Sequence, residues 1–218
     1  KGHYIDTKHP IIAENLMGIK RVMGVKQNSK KPILINDLKQ IINVINEDKN
    51  KFKKIHNKAL ILIGFAGGFR RSELVSIEFE DVDFVDEGVK IIIKRSKTDQ
   101  TGLGMTKAIP YFENKFYCPV ISLKQLIDYS KIKNGRIFKI SDKTVALTIK
   151  KYALLAGLDN TKYAGHSLRS GFATSTAEIG ADERSIMAMT GHKTTQMVRR
   201  YIQEANLFKN NALNKIKI

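Results

Sequence analysis

Apolar side chains recur at helical spacing along most of the chain. One such pattern runs through residues 11–19. A second runs through residues 38–45, and Asn36-Asp37 just before it favours a helix start. The nearly continuous apolar run over 52–65 is typical of a core helix, which the Gly67-Gly68 pair ends. The same reasoning predicts helices over 123–132, 142–155, 168–179 and 182–189, and an amphipathic helix over 206–218.

Between residues 77 and 110 the apolar period changes from the helical one to two. Val82 and Phe84 alternate with polar residues, and the run 89–93 and the pair Ala108-Ile109 are rich in strand-forming types. Turn chemistry separates these runs at 86–88 and again over the polar stretch 99–104. The sequence therefore predicts a mainly α (α+β) fold, helical with a small antiparallel β-sheet near the N-terminal third.

A basic, polar stretch over residues 26–31, followed by Pro32, has the composition of a linker. We interpret residues 1–31 as the end of an N-terminal domain with its linker, 32–205 as the main domain, and 206–218 as a C-terminal tail helix. The tail is too short to build a core of its own, which favours packing against this chain or a neighbouring copy. Because the sequence begins on Lys1, we expect it to be a fragment of a longer chain.

The charge balance points to a polyanionic partner. Lysine and arginine number 38 against 21 aspartate and glutamate residues, which leaves a net charge of +17. Nucleic acid is the expected partner of such a chain, because cations that neutralise phosphates release condensed counterions. No apolar run is long enough to span a membrane, and the first residues lack the core of a signal peptide. The single cysteine, Cys118, cannot form an internal disulfide and fits a cytoplasmic location.

Several cations and one hydroxyl lie at predicted element ends, where they could act on a phosphate. Phosphoryl transfer without a metal needs positive charge around the phosphate and a nucleophile. No acidic cluster has the pattern of a magnesium site, so we expect neither a metal nor another cofactor. Each candidate alone is weak, since single arginines and lysines are usually solvated. The candidates are Arg70, Lys97, His166, Arg169, His192 and Tyr201.

Four short segments together resemble the signature boxes of the tyrosine recombinases, the phage-type integrases. They are Gly68-Phe69-Arg70-Arg71-Ser72-Glu73-Leu74, His166-Ser167-Leu168-Arg169, Thr190-Gly191-His192 and Tyr201, in the order found in the family. The hairpin segment Arg95-Ser96-Lys97-Thr98-Asp99-Gln100 is similar to the lysine-bearing turn of the family. The resemblance covers about residues 32 to 204 and implies a catalytic domain that cleaves and rejoins DNA.

By this resemblance Tyr201 attacks the scissile phosphorus, forms a 3′-phosphotyrosyl bond and releases a 5′-hydroxyl. Arg70 and Arg169 hold the non-bridging oxygens, for which a planar guanidinium is suited. Lys97 protonates the leaving 5′-oxygen, and nearby arginines should lower its pKa.

The two histidines complete the set that the resemblance implies. His166 assists proton transfer at the tyrosine, and His192 hydrogen-bonds the phosphate. Two departures from the family pattern bear on the first box. Phe69 stands where a smaller aliphatic residue is common, and Arg71 offers a second arginine beside Arg70.

The resemblance also implies an assembly. We expect double-stranded DNA as the partner and a homo-tetramer on paired DNA sites, with a monomer or weak oligomer in the absence of DNA. Two alternatives use related chemistry or ancestry. A type IB topoisomerase relaxes supercoils as a monomer, and a descendant of a recombinase can bind DNA without cleaving it. A covalent protein–DNA adduct and its products separate the three.

Overall fold

The computed structural model describes residues 6, 9–24, 30–94, 104–192, 194–206 and 212–216. Helix α1 (Pro10–Met23) begins with proline, which suits the first turn because its missing N–H has no helical partner there. None of its residues is buried, and Val22 and Met23 expose more than four-fifths of their side chains. The predicted helix at 11–19 is therefore confirmed, with its apolar side chains outside the core.

Two core helices follow the segment 30–34. Helix α2 (Ile35–Asn46) begins ahead of Asn36 and Asp37, so the predicted cap at these residues is wrong and both lie in the first turn. Helix α3 (Lys51–Ala66) is capped by Asn50, whose side chain accepts a hydrogen bond from the Lys53 amide. Its second half is buried throughout, as its apolar run predicts.

A short helix, α4 (Arg71–Ser76), precedes the sheet and has no counterpart in the sequence prediction. The sheet has three antiparallel strands in the order β1-β2-β3: β1 (Val82–Val85), β2 (Gly88–Ile93) and β3 (Met105–Pro110). Its register pairs Val85 with Gly88 and Ile91 with Lys107. The inward face carries apolar side chains from β2 and β3, with Lys107 among them.

The remaining helices are α5 (Pro119–Ser130), α6 (Asp142–Leu155), α7 (Ser167–Glu178), α8 (Glu183–Thr190) and α9 (Thr195–Asn206). Helices α5 to α8 confirm the predicted ones within a few residues. Short 3-10 turns occur at Phe79–Asp81, Lys115–Tyr117, Asn160–Lys162 and Ala212–Lys215. More than half of the predicted tail helix lies outside the described residues; of the rest, Asn206 ends α9, and Ala212–Lys215 form one 3-10 turn.

One large hydrophobic core joins α2 through α7 with the sheet, and it includes Cys118, which is fully buried. A second, small cluster of Ala173, Ala177, Ile186 and Val198 joins α7, α8 and α9. This cluster fixes α9, since α9 contributes Val198 and packs Tyr201 against it. The fold class is thus the predicted one. Within the described residues, no helix is long and apolar enough to cross a membrane.

The segment 30–33 crosses the start of α7. Its backbone donates hydrogen bonds from Lys31 to the Lys162 carbonyl at 2.7 Å and from Ile33 to the Ser167 carbonyl at 2.9 Å. The contact is so close that a Cβ atom at Gly171 would lie 2.1 Å from the Ile33 carbonyl oxygen. Only glycine lets the two backbones approach this far.

Candidate active site

Arg70 projects from a tight turn between α3 and α4. Gly68 occupies the left-handed region with φ of +53°, where a side chain is disfavoured. Arg70 is the N-cap of α4, and its amide donates to Oε2 of Glu73 at 2.9 Å. Its guanidinium donates to Oε1 of the same residue at 2.5 Å. Because Glu73 is only 3% exposed, this buried carboxylate fixes Arg70 in place.

Arg71 has a different environment although it is the next residue. Its guanidinium is 41% exposed and lies 3.8 Å from the Asp142 carboxylate on α6. Its aliphatic part covers Gly165 so closely that a Cβ atom there would lie 1.8 Å from Arg71 Cδ. Arg71 therefore packs over the loop before α7, whereas Arg70 is the half-buried arginine beside Glu73 and Arg169.

Arg169 lies in the first turn of α7 with only 1% of its surface exposed. Its Nη1 donates to the Gly68 carbonyl at 2.9 Å, which connects α7 to the Arg70 turn. Its buried Nη2 has no hydrogen-bond partner among the described residues. Burial, and next the nearby charge of Arg70, lowers the pKa of the guanidinium to about 10, so it remains a cation at neutral pH. A buried donor without an acceptor is costly and points to an anionic ligand.

His166 and Tyr201 bring a base and a hydroxyl together at the same place. The Tyr201 hydroxyl lies 3.5 Å from Nε2 of His166, at the outer limit of a hydrogen bond. Burial lowers the pKa of His166, and the charges of Arg169, Arg70 and Arg71 lower it further. His166 is therefore neutral at physiological pH and able to accept a proton. Tyr201 also interacts electrostatically with Arg169.

His192 follows α8 after Gly191, which adopts φ of +64° and ends the helix. Its ring stands near that of Tyr201, with 6.0 Å between centroids. Nδ1 of His192 lies 2.7 Å from Oγ1 of Thr190, a fully buried hydroxyl. Burial, followed by the charges of Arg169 and Arg70, lowers the pKa of His192 to about 4.

Two other tyrosines bear hydroxyls that hydrogen-bond elsewhere. The Tyr163 hydroxyl donates to Asp37 on α2 at 2.9 Å. The Tyr152 hydroxyl donates to Asp48 at 2.8 Å and accepts from Asn57 at 3.0 Å. Of these three tyrosines, Tyr201 is the one beside His166 and Arg169.

The structure thus gathers five of the six residues singled out from the sequence: Arg70, His166, Arg169, His192 and Tyr201. The sixth, Lys97, lies outside the described residues. A lysine that the sequence reasoning did not select, Lys107, is buried next to the same arginines. Together these groups form a cluster that places two arginine cations near the Tyr201 hydroxyl, an arrangement able to bind a phosphate and attack it. Among the described residues, no cluster of three or more histidine, cysteine or acidic side chains could hold a metal ion.

Sequence comparison finds integrases and recombinases that are similar to this chain. The sequence profile of the Phage integrase family matches residues 33–207. An integrase/recombinase xerD homolog of Selenomonas ruminantium is 43% identical over 99% of this chain. The tyrosine recombinase XerA of Pyrococcus horikoshii is 26% identical over 89% of it. The chain spans 66% and 64% of the lengths of these two relatives.

Solved structures share the fold at low sequence identity. The XerH site-specific recombinase, in a post-cleavage complex with palindromic difH substrate, gives a TM-score of 0.66 at 19% identity, over 84% of this chain and 54% of that one. The XerA recombinase gives 0.65 at 19% identity, over 99% of this chain and 78% of that one. The catalytic domain of bacteriophage HP1 integrase gives 0.55 at 18% identity, over 87% of this chain and all (100%) of that one.

Proposed function

This chain belongs to the phage integrase family, and from that premise we propose that it is the catalytic part of a site-specific DNA recombinase. It cleaves and rejoins DNA strands through a covalent 3′-phosphotyrosyl intermediate on Tyr201. The observation that carries the proposal is the buried Nη2 of Arg169, a cationic donor without a described acceptor beside a tyrosine hydroxyl. A phosphodiester oxygen supplies the acceptor that this donor lacks.

Each proposed role follows from the environment of its side chain. Arg70 and Arg169 bind the two non-bridging oxygens and stabilise charge that develops on them in the transition state. The two arginines are preorganised, because Glu73 holds the first and the Gly68 carbonyl holds the second. Little reorganisation is then needed when DNA binds.

The chemical step transfers the phosphoryl group from the 5′-oxygen to the Tyr201 oxygen and moves two protons. The Tyr201 oxygen attacks phosphorus as its proton passes to Nε2 of His166, which burial and then the charges of the nearby arginines keep neutral. The bond from phosphorus to the 5′-oxygen breaks, and Lys97 protonates that oxygen. Because the new phosphotyrosyl bond preserves the energy of the broken one, a 5′-hydroxyl can reverse the step without ATP.

Trapping the covalent adduct tests this proposal. A suicide duplex that loses a short 5′-hydroxyl fragment on cleavage should leave the protein attached to DNA. Tyr201→Phe should abolish the adduct and leave the dissociation constant for DNA within a few-fold of the parent. Tyr163→Phe is the matched control and should still form it. An adduct on the Tyr201→Phe protein would reject Tyr201 as the nucleophile.

The relatives favour a recombinase over a type IB topoisomerase, since the similar proteins reported above carry recombinase or integrase names. Double-stranded DNA is the proposed partner. The XerH structure contains a difH substrate, and this chain carries a large excess of positive charge. A cytoplasmic location fits the single buried thiol of Cys118.

We further propose a homo-tetramer on paired DNA sites, with the tail of residues 206–218 packing on a neighbouring copy. Leu213 and Ile216 expose 67% and 57% of their surface. An apolar groove of about 580 Å³ lies between α2, β3 and α7, lined by Leu38, Phe65, Ile109, Phe172, Ile179 and Met189. The tail of a second copy is the proposed occupant, because it offers apolar side chains of matching character.

Deleting the tail should impair strand exchange more than single-strand cleavage, and equal losses would contradict packing between copies.

A further inference from the structure

The inward face of the sheet contains one charged residue where an apolar one would pack without cost. Lys107 on β3 pairs with Ile91 on β2, and Val89, Ile91, Ile93 and Ile109 make the rest of this face apolar. Yet Lys107 is only 1% exposed. Burying an ammonium group costs free energy that neighbouring groups must offset, so its position requires a reason.

The Lys107 ammonium is directed at the turn that carries Arg70. Nζ donates to the Gly67 carbonyl at 2.6 Å and lies 4.4 Å from the centre of the Phe69 ring. The ring in turn covers Gly67, where a Cβ atom would lie 2.0 Å from Phe69 Cε2. Phe69 is itself buried, so the Gly67 carbonyl and the Phe69 ring together enclose the Lys107 amino group.

Two basic side chains from different elements therefore donate to successive carbonyls of one turn. Lys107 on β3 holds Gly67, and Arg169 on α7 holds Gly68. The next residues are Phe69, under the Lys107 ammonium, and then Arg70. The direction in which Arg70 leaves the turn is consequently set by both contacts.

We propose that Lys107 is a positioning residue for the DNA-cleavage reaction, which fixes the turn at residues 67–69 and thereby aims Arg70 at the scissile phosphate. The inference rests on the proposed function. Lys107 is not itself a catalytic residue, because its amino group is already bound to the Gly67 carbonyl and packed on the Phe69 ring. The charged groups around it are Glu73 on α4, Arg70 at the N-cap of that helix, and Arg169 on α7. It also contributes to the lowered pKa of His192.

The test compares Lys107→Met, which keeps the length of the side chain and removes the donor, with Lys107→Gln, which keeps a neutral donor. Lys90→Met is the matched control, because Lys90 is an exposed residue of the same sheet. With saturating DNA in single turnover, Lys107→Met should form adduct at least about tenfold more slowly, as expected when a charged group is misplaced. Lys107→Gln should recover part of the rate, and Lys90→Met should match the parent. Equal rates for parent and Lys107→Met would overturn the inference.

A second measurement does not depend on cleavage. The amides of Gly68 and Phe69 donate to the carbonyls of Phe65 and Gly64 at 3.0 and 3.3 Å. Hydrogen exchange at both amides should accelerate by roughly tenfold in Lys107→Met and remain unchanged in Lys90→Met. Unchanged exchange at these amides overturns the positioning role even if the adduct assay rejects the proposed function. Faster exchange shows that Lys107 fixes the turn even if the adduct assay rejects the proposed function, whereas equal adduct rates in a protein that does cleave DNA still overturn the aiming of Arg70.

Discussion

Thr190 Oγ1 lies 2.7 Å from Nδ1 of His192, and the same hydroxyl lies 2.6 Å from the Ile186 carbonyl oxygen. A carbonyl can only accept, so the hydroxyl proton points to Ile186 and the Thr190 oxygen accepts from Nδ1–H. Neutral His192 therefore has an unprotonated Nε2. To donate a hydrogen bond from Nε2 to a phosphate, His192 must become an imidazolium, which the negative charge of a bound phosphate favours.

Thr190→Val should change how cleavage depends on pH. Without the Thr190 oxygen, neutral His192 can carry its proton on Nε2 and donate to the phosphate without further protonation. At pH 6 the variant should cleave about tenfold more slowly because the ring is less well held, and the deficit should shrink as the pH rises. Single-turnover rates across pH 5.5 to 8.5 measure this. Thr190→Ser, which retains the hydroxyl, should follow the parent, and parallel profiles for valine and serine would exclude the mechanism.

Arg70 and Arg71 should differ sharply although they are adjacent. Arg70→Ala and Arg169→Ala should each lower the rate of adduct formation by about a hundredfold or more, as expected for loss of a preorganised donor. Arg71→Ala should cost only a few-fold, because its partner is the half-exposed Asp142 carboxylate. Rates with saturating DNA isolate the chemical step. Greater sensitivity at Arg71 than at Arg70 would mean that the first box is misassigned by one residue.

Lys97 can be tested through the leaving group. If it protonates the 5′-oxygen, Lys97→Ala should cleave ordinary DNA very slowly, yet cleave DNA with a bridging 5′-sulfur nearly as fast as the parent. A thiolate leaves without a proton, so the acid becomes dispensable. Arg169→Ala should remain slow on both substrates.

Lys94→Ala is the control for this rescue. Lys94 pairs with Glu78 and Asp81 at 2.9 and 2.8 Å, and these hydrogen-bonded carboxylates raise its pKa, so it is a poor proton donor. No sulfur rescue is expected for it. If Lys97→Ala is equally slow with sulfur and oxygen, the general acid is another residue, and His166 is the next candidate.

Lys107 should make stability depend on pH. Burial lowers its pKa from 10.5 to about 7, so between these values the unfolded chain holds a proton that the folded protein has lost. Stability therefore rises with pH across this window. Relative to Lys107→Met, the parent should gain about 2 kcal/mol in free energy of unfolding from pH 7 to pH 9. Urea unfolding of both proteins at the two pH values measures the difference, and a constant difference would show that Lys107 does not titrate there.

Much of the fold was predictable because long apolar patterns determine it. Helix α6 (Asp142–Leu155) has the predicted bounds, and the apolar run before Gly67 correctly predicted the core helix α3. Two helices were missed. Helix α4 is six residues long, too short for a periodic pattern to emerge. Helix α9 is strongly polar and presents only a narrow apolar stripe around Val198 and Tyr201.

The site was predictable only in part. The resemblance singled out residues far apart in sequence, whereas no local pattern could give the Arg169 contact with Gly68. Lys107 was missed because it is one of 38 basic residues, most of which need no special explanation. The alternation of β3 contained the signal, since Lys107 and Ile109 share a face and Ile109 is apolar.

The contact between the segment 30–33 and α7 has a mechanical meaning. The Ile33 amide donates to the Ser167 carbonyl of the helix that carries Arg169, and the Ile33 carbonyl is pressed against Gly171. A pull on this segment along the chain must either break that hydrogen bond or shift the first turn of α7. Because Arg169 also donates to the Gly68 carbonyl, such a shift would move the turn that carries Arg70 as well. Tension on the segment 30–33 would therefore displace Arg169 and Arg70 together.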